Sequence, residues 1–414
     1  MRISALLRSI MISLCMALLI AATMAWGLPL RGLSTGGSVS PFSSVSLGTM
    51  AVYGNGACAS GSPPPGFVPP CIFADTFWNT WGAGGVIYNW TADTSYFNAP
   101  GGGSNMDLTS LSNFTSSMVG TEINHMTAWG GSNTGGSDDS GCTFKPGTLI
   151  SLRGTLVGTA QRQCYSGSPF IRSAQLIKST DNGATFTPAP PSTANPYTSP
   201  TFTDLRFVGP AFFQYGQDYQ TQSVDRSDSF VYATSTDQNS GLTQNQMFVG
   251  RIAIATLANT SITDNTGWQF FQGGDGSLDA NWGALSTAVP VCTDSLSTGR
   301  LPNAYYGSVQ YLPAFGTYLL VSFVMYGGSG GTSSQFFYWQ LTHPWGPCTF
   351  TASSPVWDSS NPQGPPGAYD FYVPALVQAS AATDGGHHMV MLLSANEAIN
   401  YDFYTMFIVP MTVH

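Results

Sequence analysis

Apolar residues in this chain come in short runs, and each run is stopped by glycine, proline, asparagine, aspartate or serine before a helix could complete its turns. Val86 to Trp90, Leu149 to Arg153, Ala174 to Ser179, Phe230 to Thr234 and Met247 to Ile254 have strand length, β-branched or aromatic content and turn-forming flanks. So do Ser308 to Leu312, Tyr318 to Tyr326, Phe336 to Leu341, His388 to Leu393 and Tyr404 to Pro410. No window of about a dozen residues carries a helical period, so the sequence predicts an all-β fold. The 414 residues would allow two or three average domains, yet one large β fold can absorb them.

Composition narrows the function. With 43% hydrophobic and 8% charged residues, the chain is the reverse of a disordered one. A nucleic-acid partner is excluded: the lysines are Lys145 and Lys178, and the formal charge is −9. Neither a G-x-S-x-G nucleophile elbow nor a Walker-type phosphate loop occurs.

Arg2 and Arg8 precede an apolar stretch, Ile10 to Met24, that runs into the small-x-small triplet Thr23-Met24-Ala25, the pattern of a cleaved secretory signal. Stretched through Trp26 to Leu30, the same run is long enough for an uncleaved anchor. We read residues 1–25 as signal peptide, 26–67 as a Ser/Gly/Pro-rich lead-in and 68–414 as the folded domain. The protein is then secreted, with no membrane span once the signal is removed. Export favours disulfides, and pairing in sequence order (Cys58 with Cys71, Cys142 with Cys164, Cys292 with Cys348) closes the shortest loops. No zinc site is expected, because no C-x-x-C occurs and the five histidines are mostly isolated. Asn89-Trp-Thr, Asn113-Phe-Thr and Asn259-Thr-Ser would be glycan acceptors in a eukaryotic host.

The strand runs repeat as sheet units. Ser308 to Tyr311 and Tyr318 to Phe323 form a hairpin through the Gly316 turn, with Phe336 to Leu341 as a third strand. Met389 to Leu393 with Phe403 to Val409 repeats the arrangement, and Leu149 to Arg153 with Ala174 to Ser179 gives another instance. Antiparallel units recurring every several tens of residues predict a β-propeller. A sandwich of about 100 residues would leave most of the chain unused. Ser179-Thr-Asp-Asn-Gly-Ala-Thr-Phe186 matches the Asp-box, a hairpin turn of sialidase-like propellers, and predicts a structural role for its aspartate.

The ordered motifs resemble a known family. Asp75-Thr-Phe-Trp-Asn-Thr-Trp-Gly-Ala-Gly-Gly-Val-Ile-Tyr88 with Trp90-Thr-Ala-Asp93 is similar to the first blade of the secreted five-bladed propellers catalogued as domain of unknown function 4185. Phe212 to Tyr219 leading to Asp228-Ser-Phe-Val-Tyr232, Gly250-Arg-Ile252, Pro344-Trp-Gly-Pro347 and Tyr372-Val-Pro374 follow in order, over about residues 70–412. The resemblance implies a five-bladed β-propeller, glycoside-hydrolase-like, with a polysaccharide cleft; some members are arabinan hydrolases. One position departs: the family pattern Trp-Ala-x-Asp-Gly becomes Trp81-Gly-Ala-Gly84-Gly85, so a carboxylate is missing at Gly84.

Glycoside hydrolysis needs a protonated carboxyl and an ionised partner. Asp75 as nucleophile or base and Asp93 as acid or second carboxylate are the expected pair, because they bracket the first-blade strand beside Trp78, Trp81 and Trp90, whose flat faces would stack on sugar rings. Glu122, near His125, is a further candidate acid. His125, Asp218, Asp228, Arg300, Tyr306 and Tyr372 complete the expected substrate-binding set. No metal ligand set and no cofactor are expected; a structural calcium would suit the Asp138-Asp139 loop, but no EF-hand pattern stands behind it. The competing reading is a propeller that binds carbohydrate, or serves a surface-structural role, without hydrolysing it.

Overall fold

The computed structural model describes residues 41–52, 75–92, 106–114, 118, 120–126, 129, 142–164, 169–188, 200–219, 229–237, 245–294, 307–326, 333–351, 369–397 and 404–414. These residues form an all-β structure. Two short strands, β1 (Val45–Leu47) and β2 (Ala51–Val52), precede five antiparallel runs. The first run is β3 (Asp75–Trp81), β4 (Ile87–Ala92), β5 (Asp107–Leu111) and β6 (Gly120–Asn124). The second is β7 (Cys142–Leu152), β8 (Thr155–Cys164) and β9 (Ile171–Ser179). The third is β10 (Ala211–Gln214), β11 (Phe230–Thr236), β12 (Gln246–Ala253), β13 (Gln269–Phe271) and β14 (Trp282–Gly283), with β15 (Cys292–Thr293) also on β12. The fourth is β16 (Gly307–Leu312), β17 (Thr317–Tyr326), β18 (Ser333–His343) and β19 (Gly346–Phe350). The fifth is β20 (Tyr369–Leu376), β21 (His388–Glu397) and β22 (Tyr404–Val413), and both β1 and β2 pair with β22.

The leading strands of the five runs touch in a closed cycle: β3 meets β7, β7 meets β10, β10 meets β16, β16 meets β20 and β20 meets β3. The β10–β16 contact is a parallel pairing, Phe213 opposite Val309. Side chains hold the ends of these strands level. Ser151 N on β7 donates to Thr80 Oγ1 on β3 at 2.9 Å, and Thr80 Oγ1 donates to Gln214 Oε1 on β10 at 3.0 Å. Where the five strands converge, Trp78, Thr148, Phe212, Val309 and Ala375 enclose a void of only about 10 Å³, about one water. Sheet neighbours cover both faces of these strands, so β3 and β4 carry aromatic and polar residues buried on both sides rather than a clean alternation.

Adjacent runs pack by specific complementarity. Trp90 is fully buried and stacks on Phe186, the Asp-box aromatic, with ring centroids 5.9 Å apart. The same indole lies against Gly158 on β8, where an added Cβ would stand 1.7 Å from the ring, so only glycine fits. The Asp-box closes as expected. Thr185 N and Thr185 Oγ1 both donate to the Asp181 carboxylate, Gly183 N donates to Ser179 Oγ, and Gly183 adopts φ 93°. Two disulfides follow the sequence-order pairing, Cys142 with Cys164 and Cys292 with Cys348; Cys58 and Cys71 lie outside the described residues.

Within the lead-in, Val45 pairs with Val413 and Ala51 with Ile408. Two readings are corrected. The strands read at Leu149 and Ala174 do not pair with each other, because β8 lies between them. Asn89 is fully buried within β4, where a glycan has no room.

Candidate functional site

The entry ends of β3 and β20 are strained. Directly after Asp75 the register of β3 slips, and Thr76 takes φ 61°; directly after Tyr372 β20 slips in the same way, and Val373 takes φ 48°. Both are β-branched and buried, and left-handed backbone is costly for such residues, by about 1–3 kcal/mol each. Thr76 N donates to Ser394 Oγ of β21 at 2.9 Å, which ties one bulge to the neighbouring run. Bulges of this kind re-aim the residues beside them. The two expected residues Asp75 and Tyr372 therefore border paired distortions on strands in mutual contact.

The ladder carries this end of the sheet outward. Asp75 pairs with Ala92, Thr91 with Asp107, and Leu108 with Asn124. At about 4.8 Å per strand, the backbones of Asp75 and Asp107 stand roughly 10 Å apart. Between Leu108 and Thr109 the β5–β6 register slips, leaving Glu122 opposite Thr109 and bringing His125 up to Asp107. His125 Nδ1 lies 3.7 Å from Asp107 Oδ2 and 3.8 Å from Glu122 Oε2, and one ligating atom from each residue falls within 4.8 Å of the others. Asp107 is fully buried and neither carboxylate oxygen receives a hydrogen bond. Burial, and then the negative charge of Glu122, push its carboxyl up to about 7, while His125 pulls the other way. Asp107 was not among the residues expected from the sequence.

The other expected residues are dispersed. Trp90 sits in the core with no face for a sugar, and Trp78 is buried against the axial void, which is far too small for one. Trp81 is partly exposed, but it closes the opposite end of β3, roughly 20 Å of strand from Asp75. The three indoles do not surround Asp75, because successive positions along a strand face different neighbours. Asp218 is buried with φ 50° and serves the turn beside it: its Oδ1 accepts from Ser151 Oγ at 2.7 Å and Gly154 N at 2.9 Å. Glu122 and His125 meet Asp107 rather than either described cavity. Asp93, Asp228, Arg300 and Tyr306, like the Asp138-Asp139 loop, lie outside the described residues.

Gly84 is an exposed turn residue with φ 68°, and a Cβ there would meet nothing within 4 Å. It belongs to the β3–β4 hairpin turn, at the end of β3 away from Asp75. An Asp-Gly turn and a Gly-Gly turn are both suited to φ > 0, so the departure at Gly84 is compatible with the same hairpin turn.

The Trp81 end holds the larger cavity, about 450 Å³. It follows the exit ends of β3, β10, β16 and β20, and among the described residues its walls include Trp81, Gln217, Gln310, Tyr311 and Gln378 and no charged side chain. Tyr311 is backed by Tyr215 at 5.7 Å, nearly parallel.

No family model matches the sequence, and no curated protein matches it. Solved structures similar to the chain include a GH43 protein, BlXynB, from Bacillus licheniformis, with 15% identity over 83% of this chain and 55% of that one and a TM-score of 0.46. A putative exo-β-1,3-galactanase from Bifidobacterium bifidum s17 has 9% identity over 83% and 95% of the two chains, with a TM-score of 0.44. An endo-1,4-β-xylanase from Bacteroides thetaiotaomicron VPI-5482 has 10% identity over 83% and 95%, with a TM-score of 0.43.

Proposed function

We propose that the five runs are the blades of a five-bladed propeller, secreted, whose axial cavity at the Trp81 end engages a neutral polysaccharide, of arabinan-like or other furanoside type. The cavity lining carries this reading. A sugar presents an apolar C–H face and a rim of hydroxyls; the Trp81 and Tyr311 rings suit the first, and the amides of Gln217, Gln310 and Gln378 suit the second. The described lining carries no charged side chain, which favours a neutral sugar over a uronic or sialic acid. The sequence resemblance points to the same ligand class.

A second reading, hydrolysis at the opposite end, is favoured by the strained bulges beside Asp75 and Tyr372. In it Asp93 protonates the leaving glycosidic oxygen, and Asp75 attacks the anomeric carbon or deprotonates the attacking water. Incubation with a polysaccharide panel separates the readings. Retention that Trp81→Ala weakens at least tenfold supports the first. Release of reducing ends, abolished by Asp75→Asn and by Asp93→Asn, supports the second. Failure to retain any neutral polysaccharide overturns the first, and product release unchanged in both aspartate variants overturns the second.

A further inference from the structure

We propose that Asp107, Glu122 and His125 form a binding site for one divalent metal ion of the zinc or manganese type, at the outer edge of the first sheet and distinct from the Trp81 cavity. The β5–β6 bulge builds it. Asp107 and Thr109 share one face of β5, and the slip at Leu108 turns Glu122 and His125 onto that same face. Three ligating atoms from three residues then converge within 4.8 Å.

Two features separate this cluster from an ordinary acidic surface. Asp107 has no exposed surface and both of its carboxylate oxygens lack a hydrogen bond, as does Glu122 Oε2, which is itself shielded from solvent. Such atoms normally find a partner, because desolvating them unpaired costs several kcal/mol. Among the described residues, no lysine or arginine pairs with either carboxylate, and His125 is the basic side chain beside them. A divalent ion supplies the missing partner for the Asp107 and Glu122 oxygens, with His125 as the nitrogen ligand beside them.

The ligand chemistry selects the ion. Imidazole with two carboxylates suits zinc and manganese, whereas calcium and magnesium take oxygen alone. Bonds of 2.0–2.2 Å in tetrahedral array set ligands about 3.4 Å apart. The observed 3.7 and 3.8 Å from His125 therefore close by a few tenths of an ångström, and the Asp107–Glu122 pair, within 4.8 Å, by up to about 1.4 Å, movements available to Glu122 and His125, whose side chains are 25% and 20% exposed. The bound ion would pin the end of β6 to the start of β5.

The test uses untagged protein stripped with a chelator and titrated with zinc, manganese and calcium chlorides, followed by calorimetry and thermal unfolding. The expected result is one zinc or manganese ion per chain, a Tm raised by several degrees, and binding at least a hundredfold weaker in Asp107→Asn and His125→Ala. Because Asp107→Asn alters a buried position, the partly exposed His125→Ala, checked by circular dichroism for an intact fold, keeps the test decisive. Absence of saturable binding up to millimolar metal would overturn the proposal. So would zinc binding unchanged in His125→Ala, which would place the ion elsewhere, such as the exposed Asp384–His388 pair at 2.6 Å. Calcium bound in preference to zinc and manganese would overturn the nitrogen ligand.

Discussion

An indole can lie against a sugar or fill a core, and its surroundings decide which. Trp90 is walled in by Phe186 and by the missing side chain of Gly158, so Trp90→Ala leaves a cavity and is expected to cost about 3–5 kcal/mol in urea denaturation. Trp81, partly exposed at the end of the same hairpin, is expected to change stability far less and glycan retention far more. Lys178 makes a related point about charge. Burial depresses its ammonium to about 8 despite nearby Asp264, and its Nζ donates to Asn259 O at 2.7 Å. Its folded pKa lies below its unfolded value, so the unfolded chain binds more protons between about pH 8 and 10.5, and stability should rise with pH across that window. Lys178→Met should flatten the rise in pH-dependent denaturation curves; an unchanged slope would show that the depression is absent. Asp181 has the same sign in a lower window, but there the lowered value marks a stabilised charge rather than a penalised one. Hydrogen bonds from Thr185 first, and from Ser179, lower its carboxyl to about 2, so its contribution is present above about pH 4 and fades as pH falls towards 2, an effect that Asp181→Asn should remove.

At the scale of strands, legibility followed chemistry. The β16–β17–β18 meander and the β21–β22 pair were readable because valine, leucine, tyrosine and phenylalanine fill them and the Gly316 turn separates the first two. β8 was not, since Gln161, Arg162 and Gln163 read as a loop although Gln161 and Gln163 are fully buried between β7 and β9. β5 and β6 were missed for a similar reason: Asp107, Thr109, Ser110, Glu122 and Asn124 look solvated in sequence, and a bulge that turns three of the cluster's residues onto one face leaves no periodic trace. Asp107 could have been suspected from its place between Met106 and Leu108, an apolar bracket around one carboxyl. The disulfides permit an element-level prediction. Cys142–Cys164 staples β7 to β8 across 22 residues, whereas Cys292–Cys348 ties β15 of the third run to β19 of the fourth across 56. Loop entropy assigns about 3 kcal/mol to the first and about 4 kcal/mol to the second. Replacing Cys292 and Cys348 by serine should therefore lower the denaturation midpoint at least as much as replacing Cys142 and Cys164.

Across the whole molecule, the cycle of leading strands gives the axis two different ends. One carries Asp75 and Tyr372 beside strained backbone; the other carries a cavity whose described lining is rings and amides. β1 and β2 cover the last strand, β22, so the chain's early segment closes the fifth run and protects its edge. Deleting residues 1–53 should lower Tm and promote association through β22, measurable by calorimetry and light scattering. The most direct test of glycan engagement is a crystal structure of the protein soaked with a neutral furanoside oligosaccharide. The account predicts density for a sugar ring against Trp81, with its hydroxyls within hydrogen-bond distance of Gln217, Gln310 or Gln378. An empty Trp81 cavity in crystals whose solvent holds millimolar oligosaccharide, or a sugar bound only elsewhere on the surface, would contradict it.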